Sequence, residues 1–404
     1  MKYVVILGDG MADYPIPELQ NKTPLMVAKK PNIDNLVKKG ELGLFKTVPD
    51  GMKPGSDVAN LSVLGYNPEV GYTGRSPLEA CSIGIDILDT DVTVRTNLVT
   101  LSNEQNFEDK KLLDYSAGEI STEEARELIE YLGKHIGSDK YKFYAGISYR
   151  HCLVVDHGTI CDKCTPPHDI SGRVIGQYLP KGEVGEKYLE LMKKSHELLK
   201  NHPINLERVK NGKNPANCVW FWGEGTKPAL SNFEQTYFVK GAMISAVDLL
   251  KGMALATGMK VVEVEGATGN YDTNYLGKAN ACLDTLKNGV DLVYVHVEAP
   301  DECGHHGDLD LKIKSIEQID EKIVGTILKG LKESGEDFAM LIAPDHPTPV
   351  STMTHAKDPV PYLLYRSDKN LFNGANSFDE EQAKNTGVYE SNGYKLMKKL
   401  IKGE

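Results

Sequence analysis

The sequence predicts an α/β protein in which a mainly parallel sheet flanked by helices is interrupted by a second, inserted α/β domain. Three observations carry that expectation. Residues 3–7, D-L-V-Y-V-H-V at 291–297 and D-F-A-M-L-I-A at 337–343 are short apolar runs rich in Val, Ile and Leu, each closed soon after by Gly or Pro. Such runs read as buried strands of a parallel sheet. Each leads into polar residues that suit a strand-end rim: G-D-G, then A-P-D-E-C-G-H-H-G, then A-P-D-H-P-T-P. From about residue 90 to 230 the texture changes to alternating strands and separate helices with a core of their own. The expected division is 1–89 with 231–404 for the first domain and 90–230 for the insert, since surface loops accept insertions.

Length agrees with two domains, because 404 residues is long for a single core. A composition of 40% hydrophobic and 25% charged residues describes an ordinary globular protein. The net charge of −11, with no basic stripe, argues against nonspecific nucleic-acid binding. A small anionic substrate stays compatible where cations and local Arg or Lys reverse the field. No run of about 18 apolar residues is present to span a bilayer. The opening M-K-Y-V-V-I-L-G-D-G breaks early and lacks a cleavage site, so no signal peptide is expected. Seven cysteines without regular spacing suit a reducing cytoplasm. Cys161 and Cys164 form the one C-x-x-C, and without a second pair they are expected to be incidental loop thiols.

Taken in order, the strand at 3–7 runs into Gly8, Asp9 and Gly10, where flanking glycines let a carboxylate approach an ion closely. Residues 23–39 read as helix, divided by Pro31. In P-G-S-D-V-A-N-L-S-V-L-G-Y at 54–66 a turn enters a helix with Val58, Leu61 and Leu64 on its buried face. Ser56 there reads either as an N-cap or as a nucleophile at a helix N-terminus, and the ligand residues elsewhere favour the nucleophile. Arg75 in Y-T-G-R-S-P either grips phosphate or sits in solvent.

In the insert, D-V-T-V-R-T-N-L-V-T-L alternates as a half-exposed strand does. Ser121 and Glu124 make a capping box ahead of a helix through about His135. Strands near 141–145 and 149–155, a helix near 186–201 and the aromatic strand A-N-C-V-W-F-W-G complete the unit. Its polar groups include Arg150 and His151 in Y-R-H, and His168 and Asp169 in P-P-H-D-I-S-G. Arg150 suits a carboxylate, and His151 and Asp169 suit proton handling or hydroxyl binding. After residue 240 follow a helix at 246–256, a strand at 260–264, and a polar loop entering a helix that carries Lys278, either a phosphate contact or a solvated residue. A long helix is expected at 309–332 and a charged helical end from about 379.

Asp301, His305, Asp345 and His346 thus fall beyond the carboxyl ends of parallel strands, where ligand sites form in open α/β sheets. With His355 in T-M-T-H and Asp9, they offer carboxylate oxygens and imidazole nitrogens, the donors suited to Zn, Mn or another borderline divalent ion. The set exceeds one ion's needs, and a metal pair on the order of 4 Å apart serves phosphoryl displacement.

This pattern of Asp9, Ser56, D-x-x-x-H, D-H and a final His resembles the alkaline phosphatase superfamily. Within it, G-D-G-M-A-D, T-G-R-S-P-L-E-A, P-P-H-D-I-S-G, W-G-E-G, G-A-T-G-x-Y-D-T and A-P-D-E-C-G-H-H-G are similar to the archaeal type of cofactor-independent phosphoglycerate mutase, nearly end to end. The resemblance implies an alkaline-phosphatase-like sheet and a glycolytic and gluconeogenic isomerase. It implies one divalent ion on Asp301, His305 and His355, and another on Asp9, Ser56, Asp345 and His346, with manganese favoured over zinc, cobalt or magnesium. Ser56 would take the phosphoryl group, while Arg75, Arg150, His151, Asp169 and Lys278 would hold phosphoglycerate. Glycerate would be retained by a closing cleft that excludes water. The rivals are a phosphatase or phosphodiesterase with the same ligands, transfer to another hydroxy acid such as homoserine, and a non-catalytic metal-binding protein, which would not need Ser56.

Overall fold

Val4, Val5, Ile6 and Leu7 are wholly shielded from solvent and form the middle of strand β1 (Lys2–Gly8). Apolar side chains on consecutive residues fill both faces of a strand only where both faces are covered. Strand β2 (Glu41–Phe45) follows, then β3 (Val92–Leu101), β4 (Leu112–Asp114), β5 (Tyr141–Tyr144), β6 (Arg150–Val155) and β7 (Cys218–Thr226). The remaining strands are β8 (Gly241–Ile244), β9 (Lys260–Val261), β10 (Leu292–Val297), β11 (Phe338–Ala343), β12 (Val360–Arg366) and β13 (Tyr389–Glu390). The structure, a computed structural model, describes residues 1–161 and 163–403.

Two compact units emerge, Met1–Tyr72 with Ala229–Glu404, and Thr73–Pro228. In the first, eight strands run in the order β13-β2-β12-β11-β1-β10-β8-β9. β1 lies parallel to both β10 and β11, and β10 parallel to β8, whereas β12 is antiparallel to β11 and β2. The chain therefore leaves β1 toward both sides of the sheet, which makes the carboxyl end of β1 a topological switch point. Register brings the three ends level: Gly8 pairs with Val297, and Leu7 with Ala343. Apolar side chains from β1, β10 and β11 share one core with Ala279 and Cys282 of the helix Tyr275–Lys287 and with Ile316 and Ile327.

The helix expected at 309–332 runs as Leu309–Gln318 and Gly325–Ser334, joined by a π-helical stretch Ile319–Val324. There Asp320 accepts hydrogen bonds from the backbone amides of Asn32 and Ile33, at the start of the helix Pro31–Val37. The wider turn supplies a cap to a neighbouring helix whose own first turn lacks donors' partners.

In the second unit all pairings of β3 are antiparallel, with β6 and β7 along its length and β4 at its end. The half-exposed reading of this strand is corrected: of its 10 residues, every one but Arg95 is buried. Its threonines are accommodated by internal bonds, such as Thr93 Oγ1 to the Gly225 carbonyl at 3.2 Å. Alternation signals two different faces, but both are covered here. Ser121 caps the helix Thr122–Ile136 by accepting the Glu124 amide, as expected.

The first crossing between units falls at Thr73 rather than near residue 90. The reason is local packing. Ala80, on the helix Arg75–Ser82, is buried with Cys152 and Val154, and Thr73 Oγ1 donates to the Thr226 carbonyl at 2.6 Å. Arg75 consequently belongs to the insert unit.

Glu380 illustrates a buried acid with an expected pH signature. Its carboxylate accepts the Thr23 hydroxyl at 2.6 Å and the Asp13 amide at 3.1 Å, and burial raises its pKa from 4.5 to about 7. The folded state therefore binds this proton more tightly than the unfolded chain, and its stability falls as pH rises through that window. Glu380→Gln, which keeps an acceptor for the Asp13 amide, is expected to stabilise the fold by about 1–3 kcal/mol at pH 8 and not at pH 4. Urea midpoints at the two pH values check this.

Candidate active site

The level strand ends place Asp9, Asp301 and Asp345 on successive loops of one rim. Asp9 follows β1 directly, its amide donating to the Val297 carbonyl at 2.9 Å. Asp301 and His305 lie one turn apart on the helix Ala299–His305, with His305 Nε2 3.3 Å from the Asp301 carboxylate. The same spacing that favours i,i+4 contacts thus turns both donors to one side. Asp345 and His346 follow β11, and His346 Nε2 stands 3.3 Å from Asp345 Oδ2 and 3.6 Å from Asp9 Oδ1. His355 closes the set: its Nε2 is 2.8 Å from His305 Nε2 and 3.3 Å from Asp301 Oδ1, and its ring stacks on His346 with centroids 4.0 Å apart. Donor atoms converge in two groups, Asp301 with His346 and His355, and Asp9 with Asp345 and His346. His346 thus faces both.

Ser56 joins this centre from the helix Ser56–Val63. The cap position belongs to Gly55, so the N-cap reading of Ser56 does not apply. Its Oγ lies 3.2 Å from His346 Nε2 instead. One turn on, Asn60 donates to the Ser56 carbonyl at 3.0 Å and to Asp345 Oδ2 at 2.8 Å, while its own oxygen accepts the Tyr294 hydroxyl at 2.8 Å.

Several positioning groups escaped the sequence reading. His296 lies wholly buried inside β10, its Nε2 2.9 Å from Asp9 Oδ2 and its Nδ1 3.1 Å from Ser245 Oγ. Burial, then nearby Lys278, lowers its pKa to about 3, so it stays neutral beside Asp9. Thr348 donates to Asp301 and faces His346 Nδ1. Buried Lys312 ties two site loops together, donating to Asp13 Oδ2 and to the Thr348 carbonyl, each at 2.7 Å. Gly10 has a φ of +62°, and a Cβ there would meet Thr348 Oγ1 at 2.6 Å and Asp301 Oδ1 at 2.7 Å. Glycine serves both the left-handed backbone and the close approach.

The electrostatics fit a cation. Asp9 Oδ1 is buried without a hydrogen-bond partner. Burial, then the charges of Asp345 and Asp301, push the Asp9 carboxyl well above its ordinary range. Burial opposes ionisation of Asp301 too, but hydrogen bonds with His305 and His355 outweigh it and hold that carboxyl well below. The Asp301 hydrogen bond raises His305 to about 9. Three carboxylates and three imidazoles compressed around a few ångströms are mutually repulsive or proton-sharing when alone, and divalent ions relieve both conditions. Oxygen and nitrogen donors match the resident metals expected.

Of the residues expected to hold substrate, Lys278 is corrected. It is wholly buried, and its Nζ donates to the His296 carbonyl at 2.9 Å because the helix Tyr275–Lys287 turns that face toward β10. It supports a strand end rather than meeting solvent. In the insert, Arg75 Nε binds Glu79 at 2.7 Å, and Arg95 Nε binds the other oxygen of the same carboxylate at 2.8 Å. Burial would raise Glu79, but Arg95 and Arg75 hold it low. Arg95, not singled out from sequence, also lies 3.8 Å over the Trp222 ring. His151 is buried, with Nδ1 accepting the Gly146 amide at 3.1 Å and Nε2 lacking a partner. Arg150 and Asp169 are exposed, and His168 stands 3.5 Å from Asp169.

An α/β fold with a polar centre of this kind at its switch point defines the class, enzymes that work from strand-end loops. Residues 37–205 match the family described as 2,3-bisphosphoglycerate-independent phosphoglycerate mutase. A relative bearing that name in Methanosarcina barkeri is 53% identical over 385 residues, covering 95% of each chain. A probable enzyme of the same name in Geobacter sulfurreducens is 47% identical and covers 99% of this chain and 100% of its own. A solved Pyrococcus horikoshii protein superposes with a TM-score of 0.82 at 32% identity, covering 99% of this chain and 96% of its own. The cofactor-independent phosphoglycerate mutase of Thermoplasma acidophilum superposes at 0.69 with 27% identity, covering 100% and 99%. The chain belongs to the 2,3-bisphosphoglycerate-independent phosphoglycerate mutases, a family of isomerases. No helix among the described residues is long and apolar enough to cross a membrane.

Proposed function

We propose that this chain interconverts 3-phosphoglycerate and 2-phosphoglycerate through a phosphoserine at Ser56. The observation that carries the reading is the position of Ser56 Oγ, 3.2 Å from His346 Nε2, beside the donor group of Asp9, Asp345 and His346. Asp301, His305 and His355 would hold one divalent ion, and Asp9, Ser56, Asp345 and His346 a second, with manganese favoured over zinc, cobalt and magnesium. Bound there, such ions supply Lewis acidity that lowers the serine hydroxyl pKa and offsets charge on phosphoryl oxygens.

Ser56 Oγ then forms a bond to phosphorus while the bond to the glycerate 3-oxygen breaks, the serine proton passing in net to that departing oxygen. The positive end of the helix Ser56–Val63 favours the anion gathered at its first turn. Asn60, itself held by Asp345, fixes the serine backbone carbonyl so that Oγ keeps its aim. In the return step the glycerate 2-hydroxyl attacks the phosphoserine and the serine oxygen leaves, the 2-hydroxyl proton returning in net to Ser56. Arg75, Arg150, His151 and Asp169 are the proposed holders of glycerate, with a guanidinium for the carboxylate. Buried His151, kept neutral by a pKa lowered to about 3 through burial and then Arg150, suits a hydroxyl. All seven cysteines are free thiols, which suits a reducing cytoplasm.

The test supplies Mn-loaded protein with 3-phosphoglycerate, without 2,3-bisphosphoglycerate, and follows 2-phosphoglycerate and inorganic phosphate together. The expected product is 2-phosphoglycerate; inorganic phosphate as the main product would favour a phosphatase. Chelation is expected to abolish turnover, and added divalent ion to restore it. Full turnover in demonstrably metal-free protein would end the two-ion reading.

A further inference from the structure

We propose that the insert unit carries a thiolate site of its own for a zinc-type divalent cation, formed by Cys161, Cys164 and Glu224. From sequence these two cysteines were expected to be incidental loop thiols, because no second pair accompanies them. The missing partner is a carboxylate from a distant strand. One donor atom from each of the three residues lies within 4.8 Å of the others. Cys161 is buried, and Cys164 and Glu224 are partly so.

The surroundings hold that arrangement in place. The Cys161 amide donates to both Glu224 carboxylate oxygens, at 3.2 and 3.0 Å, so the loop folds onto the end of β7 through the carboxylate itself. Tyr188 donates its hydroxyl to Glu224 Oε1 at 2.8 Å. Trp220 Nε1 donates to the Thr165 carbonyl at 2.8 Å, and Lys163 pairs with Lys181 in an isolated bridge. Cys161 also packs on the first turns of the helix Gly182–Leu199, where a Cβ on Gly185 would lie 3.3 Å from its sulfur.

The groups are mismatched without a cation. Burial, then the Glu224 charge and Cys161, push the Cys164 thiol far up, and burial raises Glu224. Three acidic side chains bring one donor atom each into a single small space, and a divalent ion bound there takes the place of their protons. Two thiolates select a zinc-type ion over Mn or Mg, which prefer oxygen. Three protein ligands leave a fourth tetrahedral position for water. On binding, the two thiol protons leave to solvent. The bound ion would fasten the loop that continues into Pro167–Ile170, the turn carrying His168 and Asp169.

Cobalt distinguishes this site from the strand-end centre, whose donors include no sulfur. Titrating reduced full-length protein with Co(II) is expected to produce a thiolate-to-cobalt absorption band in the near ultraviolet, reaching one equivalent and displaced by zinc. Cys164→Ser should remove most of the band and weaken cobalt binding by at least about tenfold. Glu224→Gln should shift the band and weaken binding while keeping a partner for Tyr188, and it serves as the second variant if Cys164→Ser unfolds. No sulfur band in reduced protein, or a band unchanged in both variants, would overturn the site. A chain that closes a Cys161–Cys164 disulfide and, after reduction, takes up no cobalt there would overturn it too. Neither readout depends on Ser56 or on mutase turnover.

Discussion

Ser56→Ala is expected to lower mutase turnover by about 10⁴- to 10⁶-fold, the loss that follows removal of a covalent nucleophile whose neighbours remain in place. The fold should barely register the change. Ser56 is only partly buried, Gly55 holds the cap position, and no side-chain cap bond is lost with Oγ. Stability should therefore move by less than about 1 kcal/mol. His346 loses one neighbour at 3.2 Å but keeps Thr348 on its other nitrogen. Kinetics with 3-phosphoglycerate, paired with mass spectrometry of acid-quenched enzyme, give the two readouts. Wild-type protein should show one added phosphoryl group on the peptide containing Ser56, and the variant none. A variant retaining a tenth of wild-type turnover would mean that another group takes the phosphoryl.

How far such a centre is legible in sequence depends on where each residue sits relative to a recognisable strand or helix. Asp9, Asp301 and Asp345 follow three apolar runs, and the parallel register that aligns those runs makes their successors neighbours. The D-x-x-x-H spacing selects His305 over the adjacent His306, because a helix turns residues four apart to one side. His296 was hidden by the opposite circumstance. It occupies an apolar run and looks like part of the strand, yet its imidazole is what Asp9 leans on. Asn60 and Lys312 lie on helices whose facing neighbours cannot be known before the fold is. Lys278 was misjudged for the same reason, since one helical face meets β10 and another meets water. In β3 alternation could not reveal that a second layer covers the polar face.

The second large effect is expected at Asp9, where function and stability oppose each other. In metal-free protein burial, then the charges of Asp345 and Asp301, hold the pKa of this carboxyl well above the ordinary carboxylate value. Its proton is bound more tightly in the folded than in the unfolded chain. Metal-free stability must therefore fall as pH rises from near about 3.9 through the raised folded value. Asp9→Asn removes that charge and can still accept from His296 Nε2, now 2.9 Å from Asp9 Oδ2. The metal-free variant should melt at a higher temperature than metal-free wild type at pH 8, and the difference should vanish toward pH 4. Turnover with manganese should drop by at least about 10²-fold, because an amide is a poorer metal ligand than a carboxylate and its partners are left misaligned. Thermal melts of chelated protein at both pH values, with manganese titrations of each variant, separate the two consequences. A variant that loses turnover but melts no higher at pH 8 would mean that the metal-free centre relaxes enough to hydrate Asp9, and the repulsion among the three carboxylates would then not be what the cations relieve.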